Sequence, residues 1–239
     1  MGVAAMLPAA MPDILARPDI WRGDRMAQAP LPTVASGCAA LDAELPGGGW
    51  PRGALTELLV DGAGIGELSL LTHSLANIRQ GGGWSLLVAP PHPLHAPAWA
   101  AAGVDLARLA VVSPASPRDA LWAMEQALVS GAPRAVVGWL PYADARALRR
   151  LQVAAVTGGA LAFLFRPTRM AVDSSAAPLR LQLAGEDGQL AVRILKRRGP
   201  PLAATIRLVL PRPARLRSRD PAHEHPLAGR PAHRQPAHA

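Results

Sequence analysis

The residues of greatest chemical promise in this 239-residue chain are Gly62, Gly64 and Gly66, followed by Glu67 and Leu68. Before them lies an apolar run, Leu55 to Val60, and after them Leu68, Leu71, Leu75 and Ile78 recur with helical spacing. Strand, glycine turn and helix in that order build a phosphate-binding loop, whose backbone N–H groups cradle an anion at the helix start. Nucleotide hydrolysis also needs a Lys after the last glycine to meet the β- and γ-phosphates, and a Ser or Thr to hold magnesium. Glu67 and Leu68 stand in those two places, and Asp61 stands in place of the loop's first glycine, five residues before Gly66. A carboxylate where the neutralising cation belongs repels a nucleotide. An Asp where the backbone needs a positive φ is strained. The expectation is a phosphate loop in shape that binds no nucleotide.

Other chemistries find less support. Gly62-Ala-Gly-Ile-Gly66 is no dinucleotide fingerprint, because Glu67 replaces the third glycine and no acidic residue ends the next strand to hold a ribose. His92 and His95 sit among prolines with no third metal ligand nearby. The one cysteine, Cys38, excludes internal disulfides and a cysteine-based metal site, and reads as an inert thiol. No serine has a nucleophile-elbow context. His223, His225, His233 and His238 belong to a low-complexity tail.

The elements that must position the loop follow from apolar spacing. Short apolar runs at Trp84–Ala89, Leu109–Val112, Ala135–Gly138 and Leu161–Phe165 read as buried strands. Between them lie a short Ala-rich helix ending at Ala102, a helix opened by Ser116-Pro117, and a helix capped by Asp144 and closed by Gly158-Gly159. Strands alternating with helices predict an α/β domain whose mainly parallel sheet is covered on both faces. Leu179–Leu183 and Leu190–Leu195 then alternate around Gly185, Asp187 and Gly188, a C-terminal β-hairpin, with Ile206–Leu210 as a further strand. The Gly/Pro cluster over 46–53 reads as a loop.

Three segments result: an N-terminal arm over 1–32, a domain over 33–210 and a disordered basic tail over 211–239. The arm carries Pro12, Pro18, Pro30 and Pro32, which bar a long helix. In it Trp21 stands beside Arg22, as a strap on the domain or as a partner-docking arm. The tail is Pro, Arg, Ala and His without apolar period, and cannot offset its ordering entropy. The net charge of +8 is uneven: residues 1–192 hold 14 basic and 15 acidic side chains, while 193–239 hold 11 and 2. Weak, sequence-independent DNA contact through the tail is one consequence of that excess, and a merely solvated tail is the other. No apolar run reaches the length of a membrane span and no signal-peptide pattern opens the chain, which points to a cytoplasmic protein.

With these features placed, residues 34–210 resemble RecA-type recombinases. The resemblance rests on Ser36-Gly37 with Leu41-Asp42, Pro51-Arg-Gly53, Ala101-Ala-Gly-Val-Asp105 and Ile194-Leu-Lys-Arg-Arg198 in family order. More closely, the chain resembles the ImuA family, catalytically dead RecA-like proteins of bacterial damage-induced mutagenesis. Ile20-Trp-Arg-Gly-Asp24, the stretch Leu41 to Gly53 and Ala143 to Leu151 carry that likeness. The resemblance implies a degenerate RecA-like core with no enzymatic activity and no cofactor. Pro91 matches the place of the catalytic Glu, and Trp139 that of the magnesium-associated Asp. The two DNA-holding loops are cut to about Leu140–Ala143 and Pro167–Pro178.

The implied role is that of an accessory in the SOS response and translesion synthesis, acting with RecA, an ImuB-type polymerase-like protein and an error-prone DNA polymerase complex. The alternative is a SulA-like inhibitor of cell division. Partner-binding positions are Trp21 and Arg22 in the arm and Lys196, Arg197 and Arg198 after the hairpin. The resemblance places Lys196 and Arg198 on the basic pair that reaches a neighbouring protomer's nucleotide in a recombinase filament, and strand alternation points both to one face. Truncation after Leu210 removes six arginines and nothing that is needed for the core. The truncated protein should fold, and its affinity for DNA in a salt series by fluorescence anisotropy should fall; unchanged affinity at low salt would free the tail of that role.

Overall fold

In the computed structural model, which describes residues 32–78 and 82–210, strands and helices alternate along the chain. In order they are β1 (Thr33–Val34), α1 (Ala39–Asp42), β2 (Trp50–Pro51), β3 (Ala54–Leu59), α2 (Ser69–Asn77), β4 (Ser85–Val88) and α3 (Ala96–Ala101). Then come β5 (Leu109–Val112), α4 (Pro117–Ser130), β6 (Ala135–Trp139), α5 (Ala145–Gly158), β7 (Leu161–Arg166), β8 (Leu179–Glu186), β9 (Gln189–Lys196) and β10 (Thr205–Leu208). Eight strands form one sheet in the order β10-β9-β8-β3-β7-β6-β4-β5. From β5 to β8 every pairing is parallel, and β9 and β10 add antiparallel strands at one edge. The expected α/β architecture, mainly parallel sheet and C-terminal hairpin are present.

Strand alternation divides the core into two layers. Along β7, Leu161, Phe163 and Phe165 face the layer of α1, α2 and α3, while Ala162 and Leu164 face α4 and α5. In the first layer Leu70, Leu71 and Leu75 of α2 pack with Trp50, which meets Phe163 edge-on at 5.3 Å. In the second, Met124 and Leu128 of α4 pack with Leu148 and Leu151 of α5. The helix ends are where the caps predicted them. Ser116 Oγ accepts from Asp119 N–H, Asp144 Oδ1 accepts from Ala147 N–H at 2.7 Å, and Gly131 and Gly159 close α4 and α5 in the left-handed conformation.

The Gly/Pro stretch before the first core strand is more regular than its composition predicts. Trp50 and Pro51 pair with Val34 and Thr33 in a small antiparallel ladder, because the Trp50 side chain is wholly buried and fixes the local backbone. Trp21 and Arg22 of the arm, and the tail over 211–239, lie outside the described residues.

A buried charge cluster ties the middle of the sheet together. Glu57 of β3, fully buried, accepts from Arg166 Nη1 of β7 at 2.5 Å and from Arg180 Nε of β8 at 2.5 Å. Arg166 Nη2 also donates to the Ala143 carbonyl, and Arg180 donates to the carbonyls of Met170, Ala171 and Asp173. The segment after β7 is therefore bolted to the sheet through Arg180. Removing one member of a buried ion cluster leaves uncompensated charge, which costs roughly 3–5 kcal/mol. Glu57→Gln should lower the urea-unfolding free energy by about that amount. Arg180→Lys, which keeps charge but loses the planar fork, should speed amide exchange over 168–173; protection equal to wild type would show that the carbonyl bonds do not hold this segment.

Candidate functional site

The connection from β3 to β4 passes over β7 and β6, so the carboxyl ends of these strands open a crevice where ligands bind in open α/β sheets. The loop 61–68 leaves β3 at this edge and leads into α2. Its glycines carry the required backbone: Gly62, Gly64 and Gly66 have φ of 87°, 86° and 104°. An L-residue there would be strained.

Asp61 corrects the expectation of strain. It is absent from the positive-φ residues, and the left-handed turn falls on Gly62 instead. The Asp61 carboxylate accepts from the backbone N–H of Thr168 at 2.9 Å and from the Thr168 hydroxyl, joining the loop to the segment that Arg180 anchors. Those two hydrogen bonds hold its carboxyl below the ordinary carboxylate range, the hydroxyl contributing most. A depressed carboxylate adds stability above its unfolded value, and that stability is lost as pH falls through the lowered folded value. The tether is therefore intact at neutral pH.

Glu67 is the central finding. Its buried carboxylate turns back into its own loop, Oε1 accepting from Gly64 N–H at 3.3 Å and Oε2 from Ile65 N–H at 3.1 Å. These are loop amides of the kind that cradle a phosphate. The carboxylate does more than repel a nucleotide, since it also occupies donors the nucleotide would use. Leu68 follows as a partly buried apolar side chain and adds no hydroxyl for magnesium.

The crevice beside the loop is a cavity of about 1020 Å³ with largely apolar walls. Leu68, Thr72, Pro91, Trp99, Trp139 and Phe165 are among the residues that line it. Trp139 and Phe165 stack at 5.1 Å with their planes 13° apart. Pro91 and Trp139, read as replacements for catalytic carboxylates, thus face the same space as Glu67. The chain leaves β4 through Ala89, a non-glycine residue held at a φ of 54°. His92 and His95 also line the cavity. Among the described residues no group of three His, Cys, Asp or Glu side chains stands close enough to hold a metal ion, and no helix is long and apolar enough to cross a membrane. Cys38 is half-buried, and burial followed by the Asp42 charge raises its thiol pKa, which keeps it protonated at neutral pH.

The basic triplet lies elsewhere. Lys196 ends β9 and pairs with Arg180, which in turn pairs with Glu57, so it is level with the middle of β3 at the hairpin side of the sheet. Its Nζ donates to the Ser175 carbonyl at 2.8 Å while the side chain stays exposed. Arg197 turns inward, donating to the carboxylate and carbonyl of Glu44 and to the Pro200 carbonyl. It is a tether, which corrects its reading as a partner-binding residue. β9 ends at Lys196, so Arg198, though exposed, lies in the following bend and strand alternation does not align the two.

Sequence reasoning missed Glu57, Arg166, Arg180 and Thr168 as the groups that hold the site. A signal was present: Glu57 interrupts a buried apolar strand and Arg166 ends another, and a charge in such a place demands a partner. Arg166 and its neighbour Pro167 also line the cavity.

Comparison with known proteins finds similarity to SulA and to RecA. A family model described as "Cell division inhibitor SulA" matches residues 54–162. The chain is 35% identical over 109 residues to the cell division inhibitor SulA of Photorhabdus laumondii, covering 44% of this chain and 62% of that protein. It is 32% identical over 118 residues to RecA of Picosynechococcus sp. and 34% identical over 115 residues to RecA of Chlorobaculum parvum, covering 33% of each. The chain thus spans less than two thirds of these relatives. The crystal structure of SulA from Pseudomonas aeruginosa matches 47% of this chain and 97% of its own at 29% identity, with a TM-score of 0.41.

If the Glu67 carboxylate blocks a working cradle, Glu67→Ala should gain anion binding. Millimolar inorganic phosphate should raise the melting temperature of the variant and not that of the wild type. Millimolar ATP should leave wild-type melting unchanged. Stabilisation of the wild type by ATP would show that the loop still accepts a nucleotide.

Proposed function

We propose that this chain is a non-catalytic, cytoplasmic accessory of the bacterial response to DNA damage, serving translesion synthesis. The observation that carries the reading is the Glu67 carboxylate seated on the Gly64 and Ile65 amides. A phosphate loop whose amides are taken by its own side chain, beside a crevice lined by Pro91 and Trp139, supports a domain without phosphoryl transfer. Its similarity to SulA and to RecA supports a place in the damage response. The ImuA resemblance adds the partners: RecA, an ImuB-type polymerase-like protein and an error-prone DNA polymerase complex.

Two separate surfaces suggest how such a protein acts on RecA. Head-to-tail contacts join one surface to a different one on the next protomer. Lys196 and Arg198 remain exposed on the hairpin side of the sheet, apart from the phosphate loop that Glu67 fills. A protomer able to reach a neighbour's nucleotide and unable to present its own docks at one end of a filament and stops there. Lys196→Glu with Arg198→Glu should abolish co-sedimentation with ATP-loaded RecA, because like charges then meet the phosphates. Wild-type co-sedimentation by the folded variant would move the contact to another surface, the arm around Trp21 first.

A second reading is favoured by the family model, which spans β3 to the start of β7. On that reading the chain is an inhibitor of cell division, binding a tubulin-like protein. Loss of sedimentable polymer when the chain is added to such a protein with GTP would favour it over the mutagenesis role.

A further inference from the structure

α4 and α5 run side by side over the face of the sheet away from α2. They approach closely because residue 158 is glycine: a Cβ there would lie 1.8 Å from the Leu128 carbonyl oxygen. Their inner sides are core. Their outer sides are not the polar surface such helices ordinarily present. Trp122 is 61% exposed, Val129 47%, Val153 59% and Val156 62%.

Between the helices runs a groove of about 340 Å³. Val129, Val153 and Ala154 supply its apolar lining, and Arg146, Arg149 and Arg150 its charge. Arg150 is already neutralised, its Nε donating to Glu125 Oε1 at 2.9 Å and its Nη2 to Oε2. Arg146 and Arg149 are exposed and make no hydrogen bond or ion pair among the described residues. The groove therefore presents an apolar trough beside two unspent guanidinium groups, a planar donor set that matches carboxylates.

We infer that the α4–α5 groove is a docking site for an acidic peptide segment with an apolar anchor. The anchor side chain lies between Val129 and Val153, and the flanking carboxylates meet Arg146 and Arg149. Charge complementarity selects the acidic partner, and the apolar floor decides against a nucleic acid, whose phosphates would gain nothing from valines. Exposed Trp122 extends the apolar side of the contact, as aromatic residues do at the centres of protein interfaces. The site lies on a different face from the crevice and from Lys196, so it stands whether or not the proposed role in translesion synthesis holds.

The test uses the full chain and a fluorescein-labelled hexapeptide, Asp-Asp-Glu-Asp-Leu-Phe, read by fluorescence anisotropy at low salt. The peptide should bind, and replacing its Leu-Phe by Ser-Ser or its carboxylates by amides should each weaken binding by about tenfold or more. Arg146→Glu with Arg149→Glu, and separately Val153→Asp, should do the same, while Val153→Leu should not. All three side chains are exposed, so the variants keep the core, and their melting temperatures check that. Absence of peptide binding at millimolar protein, or binding indifferent to the arginine reversals, would overturn the inference. Tight binding of an oligothymidine lost in the same variants, with none of the peptide, would make the surface a nucleic-acid site.

Discussion

The structure depends on charge buried where no water can compensate it. Glu57 lies at the centre of the sheet with a guanidinium on either side, and the three strands that carry these residues are β7, β3 and β8. Such a cluster adds little net stability over an apolar core, because desolvation offsets most of the attraction. What it adds here is geometric. A carboxylate with two fixed partners sets β3 relative to both neighbours, and the loop that starts two residues after β3 inherits that position. Arg180 extends the same constraint to the 168–173 segment, and Thr168 in that segment holds Asp61 at the loop's root. Loop, sheet and following segment form one hydrogen-bonded unit.

Within that unit the chemistry of the crevice has been replaced in kind. A phosphate loop needs an anion to satisfy its converging amides, and an unpaired buried N–H costs free energy. In this chain the anion is covalently attached. The Glu67 carboxylate is delivered at high effective concentration from the residue next to the last glycine, and it leaves the donors of Gly64 and Ile65 satisfied without a ligand. The walls have changed to match. Where hydrolysis would place charged groups around a metal and a water, Trp139 stacks on Phe165 and Pro91 stands opposite. The loop's amides and its root at Asp61 are thus held by side chains of the domain itself.

Exposed cations stand on two further surfaces: the end of β9 at Lys196 and the outer face of α4 and α5. Lys196 stands at the first, while at the second Arg146 and Arg149 stand beside Val129 and Val153. Arg197 shows how little local composition says about such placement. It is flanked by two exposed cations, yet its guanidinium is spent on Glu44, 153 residues away in sequence.

The order of strand, glycine turn and helix, the caps at Ser116 and Asp144, the hairpin and the buried strand β7 were all legible in the residues. Each depends on neighbours within a few positions, where backbone stereochemistry and apolar period speak directly. The same local logic identified Glu67 and Leu68 as wrong for phosphate chemistry. It misjudged Asp61, because which residue of a loop takes the positive φ depends on where the flanking strand lets go, and Gly62 took it. It had no access to the Glu57 cluster, whose members lie 109 and 123 residues apart. It had none to the direction of the Glu67 side chain either, which could repel a ligand from outside or fill the cradle from within. Residue type settles the sign of a charge and the period of a helix; which groups that charge faces is a long-range matter, decided when the sheet assembles and the buried carboxylates must find donors.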